Sequence, residues 1–70
     1  MATSNPYTTS NVIEVVLITE DEDGDQELAF GPKAFLAGNL QAAIAKATGE
    51  FVSEGGDAGK VVNALTRFFG

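Results

Sequence analysis

The segment 12–19, VIEVVLIT, restricts how this chain can fold because it is apolar on both sides. β-Branched residues dominate it, which favours a strand. Side chains alternate between the two faces of a strand. One face therefore carries Ile13, Val15 and Leu17, and the other carries Val12, Val16 and Ile18. Because neither face is suited to water, we expect helices to cover both faces or one face to meet another subunit.

A second strand is predicted over residues 26–30, QELAF, as the return strand of a β-hairpin. Asp23-Gly24 favours a two-residue type I′ turn, because Asp and Gly tolerate the positive φ that this turn requires. Such a turn fixes the register of the hairpin, and it places Leu28 on the same face as Ile13. The predicted partners are Thr19 with Leu28, Leu17 with Phe30, and Glu20 with Glu27.

Two helices are predicted after the hairpin. Residues 32–48 begin with a proline, which suits the first turn of a helix, and Gly49 follows as a stop. Asn39 is an alternative helix start, because Asn is a good N-cap. Residues 58–69 form the second predicted helix, with Asp57 as its N-cap. Apolar stripes at helical spacing support both: Leu36, Leu40, Ala43, Ile44 and Ala47 in the first, and Val61, Val62, Leu65, Phe68 and Phe69 in the second.

The predicted fold class is α+β, with elements in the order ββαα in a single small domain over residues 12–70. Residues 1–11 are rich in Thr, Ser and Asn, and we expect them to form a flexible arm. A chain of 70 residues without cysteine has no disulfides to compensate for its small core. We therefore expect it to bury further surface in a homo-oligomer or an obligate complex.

Composition excludes several functions. The chain has no His and no Cys, which removes Cys/His zinc sites, thiol catalysis and the Ser-His-Asp triad. Its formal net charge is −6, and its 4 basic residues are scattered, which argues against direct binding to nucleic acid or to acidic membranes. Its apolar runs are too short to span a bilayer, and it shows no targeting segment, so we expect a cytoplasmic location.

The most distinctive motif is the run EDEDGDQE, in which 6 carboxylates fall within eight residues. They belong to Glu20, Asp21, Glu22, Asp23, Asp25 and Glu27. Three interpretations remain open for this run: a weak cation site, an acidic surface that recognises a partner, and a charged tip that keeps an apolar hairpin in solution.

Metal and catalytic interpretations fit poorly. Asp21, Asp23 and Asp25 have the spacing of a calcium loop, but Gln26 stands where an EF-hand needs Gly and Pro32 where it needs Glu. We predict no metal and no cofactor. Paired-carboxylate catalysis needs a cleft that separates two pKa values, and so short a chain leaves little room for one. We therefore predict that the protein is not an enzyme.

These features together indicate a small acidic protein-interaction module. We expect an inhibitor or regulator that docks on a basic or nucleic-acid-binding surface of a partner protein, such as a nucleic-acid-processing enzyme. The acidic run would steer the partner, and an apolar patch would supply affinity. The alternatives are a structural subunit of a homo-oligomeric or virion-type assembly, and a DNA mimic. Candidate apolar interface residues are Val12, Val16, Ile18, Phe68 and Phe69.

A hairpin with an Asp/Gly-rich turn followed by a helix is similar in architecture to several small phage-encoded inhibitors. The likeness covers the order of elements and no specific motif. It therefore identifies no family and assigns no functional residues.

Overall fold

The computed structural model describes residues 11–69, and these form one antiparallel sheet with a helix on one side. The elements are β1 (Asn11–Glu20), β2 (Gln26–Ala37), α1 (Leu40–Ser53), a 3-10 turn (Ala58–Lys60) and β3 (Val61–Phe69). The strand order is β2-β1-β3, so β1, which is apolar on both faces, lies in the centre. Within residues 11–69 no helix is long and apolar enough to cross a membrane. The predicted arm, 1–11, lies outside this range apart from Asn11.

The core lies between the sheet and α1. Ile13, Val15 and Leu17 of β1 are fully buried there, as the alternation of β1 predicts. From α1, Ala43 and Ala47 are also fully buried, and their small side chains let the helix approach the sheet closely. Aromatic and small residues complete the core: Phe30, Phe35 and Ala37 are buried, and Phe51 packs against them.

The predicted order ββαα is wrong, because residues 61–69 form β3 and no second helix follows α1 in the described chain. β3 pairs with the free edge of β1, from Val12 opposite Phe69 to Thr19 opposite Val61. Its Val, Thr and Phe content suits a strand, and pairing supplies main-chain partners to the second edge of β1. Asp57 does cap the turn that precedes β3: its side chain accepts a hydrogen bond from the Gly59 amide at 2.8 Å.

The first helix also differs from its prediction. Residues 32–37 extend β2, with Phe35 opposite Ile13, so Pro32 lies in a strand. The helix begins after Asn39, whose side chain accepts a hydrogen bond from the Ala42 amide at 2.8 Å, as the alternative start predicts. Leu36 of the predicted stripe therefore lies in β2, where it is exposed.

The predicted stop at Gly49 is also wrong, since α1 continues to Ser53. The helix ends where Gly55 adopts a φ of +98°, a conformation that glycine adopts readily. The Gly56 amide then donates to the Phe51 carbonyl at 2.8 Å, and the Gly55 amide donates to the Val52 carbonyl at 3.0 Å. These two bonds satisfy carbonyls that a helix end would otherwise leave unpaired.

The hairpin turn has one more residue than predicted. The Asp21 carbonyl accepts from the Gly24 amide at 3.1 Å, and the Asp21 amide donates to the Asp25 carbonyl at 2.9 Å. Gly24 has a φ of +86°, so it occupies the left-handed position that closes a three-residue hairpin loop. Glu20 consequently lies opposite Gln26, and Thr19 lies opposite Glu27.

This longer turn removes the predicted pairing of Glu20 with Glu27. A register shift between Leu17 and Ile18 then compensates for the extra residue, and Leu17 lies opposite Phe30 as predicted. Leu28 instead lies opposite Ile18, so it faces away from the core and is 53% exposed. Its predicted place on the core face is wrong, because one shift reverses the faces of the residues between the shift and the turn.

Candidate functional site

One face of the sheet carries no helix, and within residues 11–69 no element packs on it. We call this surface the open face. It consists of the residues that alternate with the buried core positions of β1 and of those directly opposite them. Its large apolar members are Val12, Val16, Ile18, Leu28, Leu36 and Leu65.

The apolar residues of the open face form cross-strand pairs. Val12 lies opposite Leu36, Val16 opposite Leu65, and Ile18 opposite Leu28. The leucines of the outer strands are the more exposed members: Leu28 is 53%, Leu36 61% and Leu65 52% exposed. An apolar patch of this kind on a small protein marks a surface for interaction.

A single ion pair interrupts the open face near its middle. Glu14 of β1 lies opposite Arg67 of β3, and Oε1 of Glu14 is 3.6 Å from Nε of Arg67. A surface pair of this kind contributes little to folding stability, in the range of about 0–1 kcal/mol. It does give the apolar patch one carboxylate and one guanidinium with which a partner can form hydrogen bonds.

The structure separates the predicted apolar interface residues. Val12, Val16 and Ile18 lie on the open face and are partly buried by their neighbours. Phe68 lies opposite Ile13 and therefore on the helix side of the sheet, where it is 55% exposed. The backbone of Phe69 lies opposite Val12, but its side chain is outside the described part.

Three leucines of the open face were missing from the prediction. The sequence patterns place Leu36 and Leu65 in helices and Leu28 on the core face of the hairpin. The periodicity around Leu36 and Leu65 fits either a helix or a strand, and the face of Leu28 depends on the length of the hairpin turn, so the sequence lacks a signal that would place these residues. Recognition of residues 61–69 as a strand would have placed Leu65 on the open face.

The predicted acidic residues lie together at the end of the β1–β2 hairpin, which we call the acidic tip. It consists of Glu20, Asp21, Glu22, Asp23, Asp25 and Glu27. Five of these residues are exposed, and Glu20 is partly buried. Glu20 follows Ile18 on the open face, and its Oε2 accepts a hydrogen bond from Nε2 of Gln26 at 3.3 Å. The open face therefore ends directly at the acidic tip.

Asp21 builds the turn that carries the tip. Its Oδ1 accepts hydrogen bonds from the amides of Asp23 and Asp25, each at 2.9 Å. Carboxylate oxygens of Asp21, Asp23 and Asp25 lie within 4.8 Å of one another, and all three residues are exposed. Since one of these oxygens already holds two amides and the others face water, the geometry identifies a turn-stabilising carboxylate more clearly than a metal cage.

A shallow groove of about 280 Å³ lies beside the tip. It is lined by Glu20, Asp21, Glu22, Gly59, Lys60 and Val62. Its lining combines three carboxylates with the apolar Val62 and one cation, Lys60, so the groove is amphipathic with an excess of negative charge. The groove therefore extends the acidic end of the open face.

Three of the four basic side chains, those of Lys33, Lys46 and Arg67, lie away from the tip and have partners, whereas Lys60 lines the groove beside the tip. Lys33 forms an ion pair with Glu50 and lies 5.7 Å from the centre of the Phe35 ring. Lys46 donates to the Leu36 carbonyl. The tip therefore retains a strongly negative local charge.

No protein-family model matches this chain, and no curated protein or solved structure matches it either.

Proposed function

We propose that the protein is a non-enzymatic interaction module that binds a basic, amphipathic segment of a partner protein. The apolar side of that segment would pack on the open face, and its Lys or Arg residues would contact the acidic tip. The observation that carries this proposal is the direct continuity between the Ile18–Leu28 pair and Glu20.

The chemistry of the two surfaces supports such a partner. Packing on the open face would bury apolar side chains, at about 25 cal/mol for each Å² removed from water. The acidic tip would attract a basic segment and speed its association. The net charge of −6 also disfavours an acidic occupant. A helix with an apolar stripe fits this flat surface in the way that α1 fits the other side of the sheet.

The kind of segment that fits these two surfaces supports an inhibitory or regulatory role. Basic amphipathic surfaces commonly contact nucleic acid, and a module that occupies one would exclude the nucleic acid. This role needs only tight binding, with no chemical step. A cytoplasmic location is part of the proposal.

The alternative of a DNA mimic receives less support from the geometry. Duplex DNA carries one charge for about every 1.7 Å along its axis. The carboxylates here are concentrated at one end of a hairpin, and those of Asp21, Asp23 and Asp25 lie within 4.8 Å of one another. This arrangement suits a compact basic site better than a long nucleic-acid channel.

The test is a titration with a fluorescent amphipathic helical peptide made of Leu and Lys. Three proteins are compared: the natural chain, the tip variant Asp23→Asn/Asp25→Asn, and the control Glu50→Gln/Glu54→Gln. Both variants lose two negative charges, and both keep Asp21, which stabilises the turn. A second pair, Leu36→Ser and Leu40→Ser, compares the open face with an exposed leucine on α1.

We expect the tip variant and Leu36→Ser to weaken peptide binding at least several-fold, while their controls bind like the natural chain. We also expect the affinity to fall as salt is added, because screening weakens interactions between exposed charges. Equal effects of the tip variant and its control would show that the tip contributes to binding only through the net charge of the protein. Absence of binding to the natural chain would overturn the proposal.

A further inference from the structure

The two outer edges of the sheet differ in how well they can accept another strand. The β2 edge has two register shifts and carries Pro32 and Lys33. Shifts, proline and lysine are features that protect an edge from pairing with other chains. In β3 the pairing with β1 is regular from Phe69 to Asn63. β3 contains neither proline nor lysine, and its one irregularity lies at its start, between Val61 and Asn63, so the edge from Asn63 to Phe69 lacks these protective features.

The exposed apolar side chains of β3 have a symmetric arrangement. Val62, Leu65 and Phe68 are 51%, 52% and 55% exposed, and Leu65 lies midway between the other two in sequence. If two copies of β3 pair antiparallel about Leu65, each of these residues lies opposite another member of the set. A twofold interface requires this kind of self-complementarity.

We propose that the outer edge of β3 pairs antiparallel with β3 of a second copy, about a twofold axis at Leu65. The two sheets of three strands become one continuous sheet of six. Leu65 lies opposite Leu65 of the second copy on the open face. Val62, at the irregularity between Val61 and Asn63, lies near Phe68 of the second copy at each end of the joined strands. Apolar pairs that face one another across strands stabilise a sheet.

Charge also favours this antiparallel arrangement. β3 begins beside the acidic tip, since Val61 lies opposite Thr19. In an antiparallel pair the two tips therefore lie at opposite ends of the joined strands. Nine residues of strand separate them by about 30 Å, at about 3.3 Å for each residue. This exceeds the screening length of about 8 Å in physiological salt, so repulsion between the tips is weak.

This inference goes beyond the proposed function, because it concerns the strand edge and requires no other protein. Each copy would keep its acidic tip and its own open face. The joined open faces would form a single apolar surface across both copies. An extended strand from a different protein is the other occupant that such an edge can accept.

The experiment measures the mass of the full chain by sedimentation equilibrium at micromolar concentrations. We expect twice the 7.3 kDa of a single copy. The variant Leu65→Lys places two like charges opposite each other at the axis and should yield a single copy. Its control is Leu36→Lys, which alters a leucine on the open face that is even more exposed but lies on β2. The control should remain a dimer.

A cysteine variant tests the register even if Leu65→Lys fails to fold. The natural chain has no cysteine, and directly opposed residues at a twofold axis are close enough for a disulfide. Mild oxidation should therefore cross-link Leu65→Cys efficiently and Leu36→Cys poorly. Equal cross-linking of the two variants, or a natural chain that sediments as a single copy, would overturn the proposal. A single copy that still binds the Leu/Lys peptide would overturn only the dimer, and a dimer that does not bind it would overturn only the proposed function.

Discussion

Gly31 lies so close to Val15 that a side chain at position 31 would overlap the Val15 carbonyl oxygen. Gly31 also has a φ of +87°, which few residues other than glycine adopt. It lies where the register between β1 and β2 shifts, between the pairs Leu17–Phe30 and Val15–Lys33. The close contact allows β2 to continue past this shift and to place Phe35 over the core.

We predict that Gly31→Ala destabilises the fold by about 2–4 kcal/mol, from the left-handed conformation and the overlap together. Urea unfolding followed by circular dichroism measures the loss. Gly38→Ala is the control, because an added Cβ at Gly38 meets nothing within 4 Å. Similar unfolding midpoints for the two variants would show that β2 does not approach β1 this closely at Gly31.

Gly49 provides a prediction of the opposite sign. It lies inside α1, its φ is not positive, and an added Cβ meets nothing within 4 Å. Gly49→Ala should therefore stabilise the protein by about 0.5–1 kcal/mol, because alanine loses less conformational entropy in a helix. A helix that stopped at Gly49 would place it in the C-terminal cap, and the same change would then destabilise the protein. Thermal unfolding of the variant beside the natural chain distinguishes these results.

Removal of the Asp21 carboxylate should change folding stability differently from removal of the Asp23 carboxylate. Asp21→Ala removes the acceptor of two amide hydrogen bonds, and we expect a loss of about 1 kcal/mol. Asp23→Ala removes a charge from the same cluster without removing an acceptor, so relief of repulsion should leave stability unchanged or slightly raised. Urea midpoints of both variants measure the difference. If Asp21→Ala proves as stable as Asp23→Ala, the carboxylate of Asp21 does not hold the turn.

The sequence contained enough information to predict β1 and its two faces. Its alternation correctly assigned Ile13, Val15 and Leu17 to the core, because a strand that is apolar on both sides leaves few other arrangements. Its other face was also predicted to need a cover or a partner. That face is the open face, and its partner remains a proposal.

The second half of the chain could not be predicted in the same way. Residues 61–69 have apolar side chains at spacings that fit a helix or a strand, and pairing with the free edge of β1 decides between them. Such long-range pairing leaves no local signal in a single sequence. The same limit applies to the hairpin register. The longer turn displaces it by one residue, and the register shift between Leu17 and Ile18 restores the predicted pairing of Leu17 with Phe30.

NMR of the ¹⁵N-labelled protein can map directly where the Leu/Lys peptide makes contact. If the peptide binds where we propose, amide signals should shift along the open face, at Val12, Val16, Ile18 and Leu28, and at the acidic tip. Signals of the exposed side of α1 should stay in place. Shifts confined to α1, or spread evenly over the protein, would contradict the claim that the open face and the acidic tip together form a docking surface.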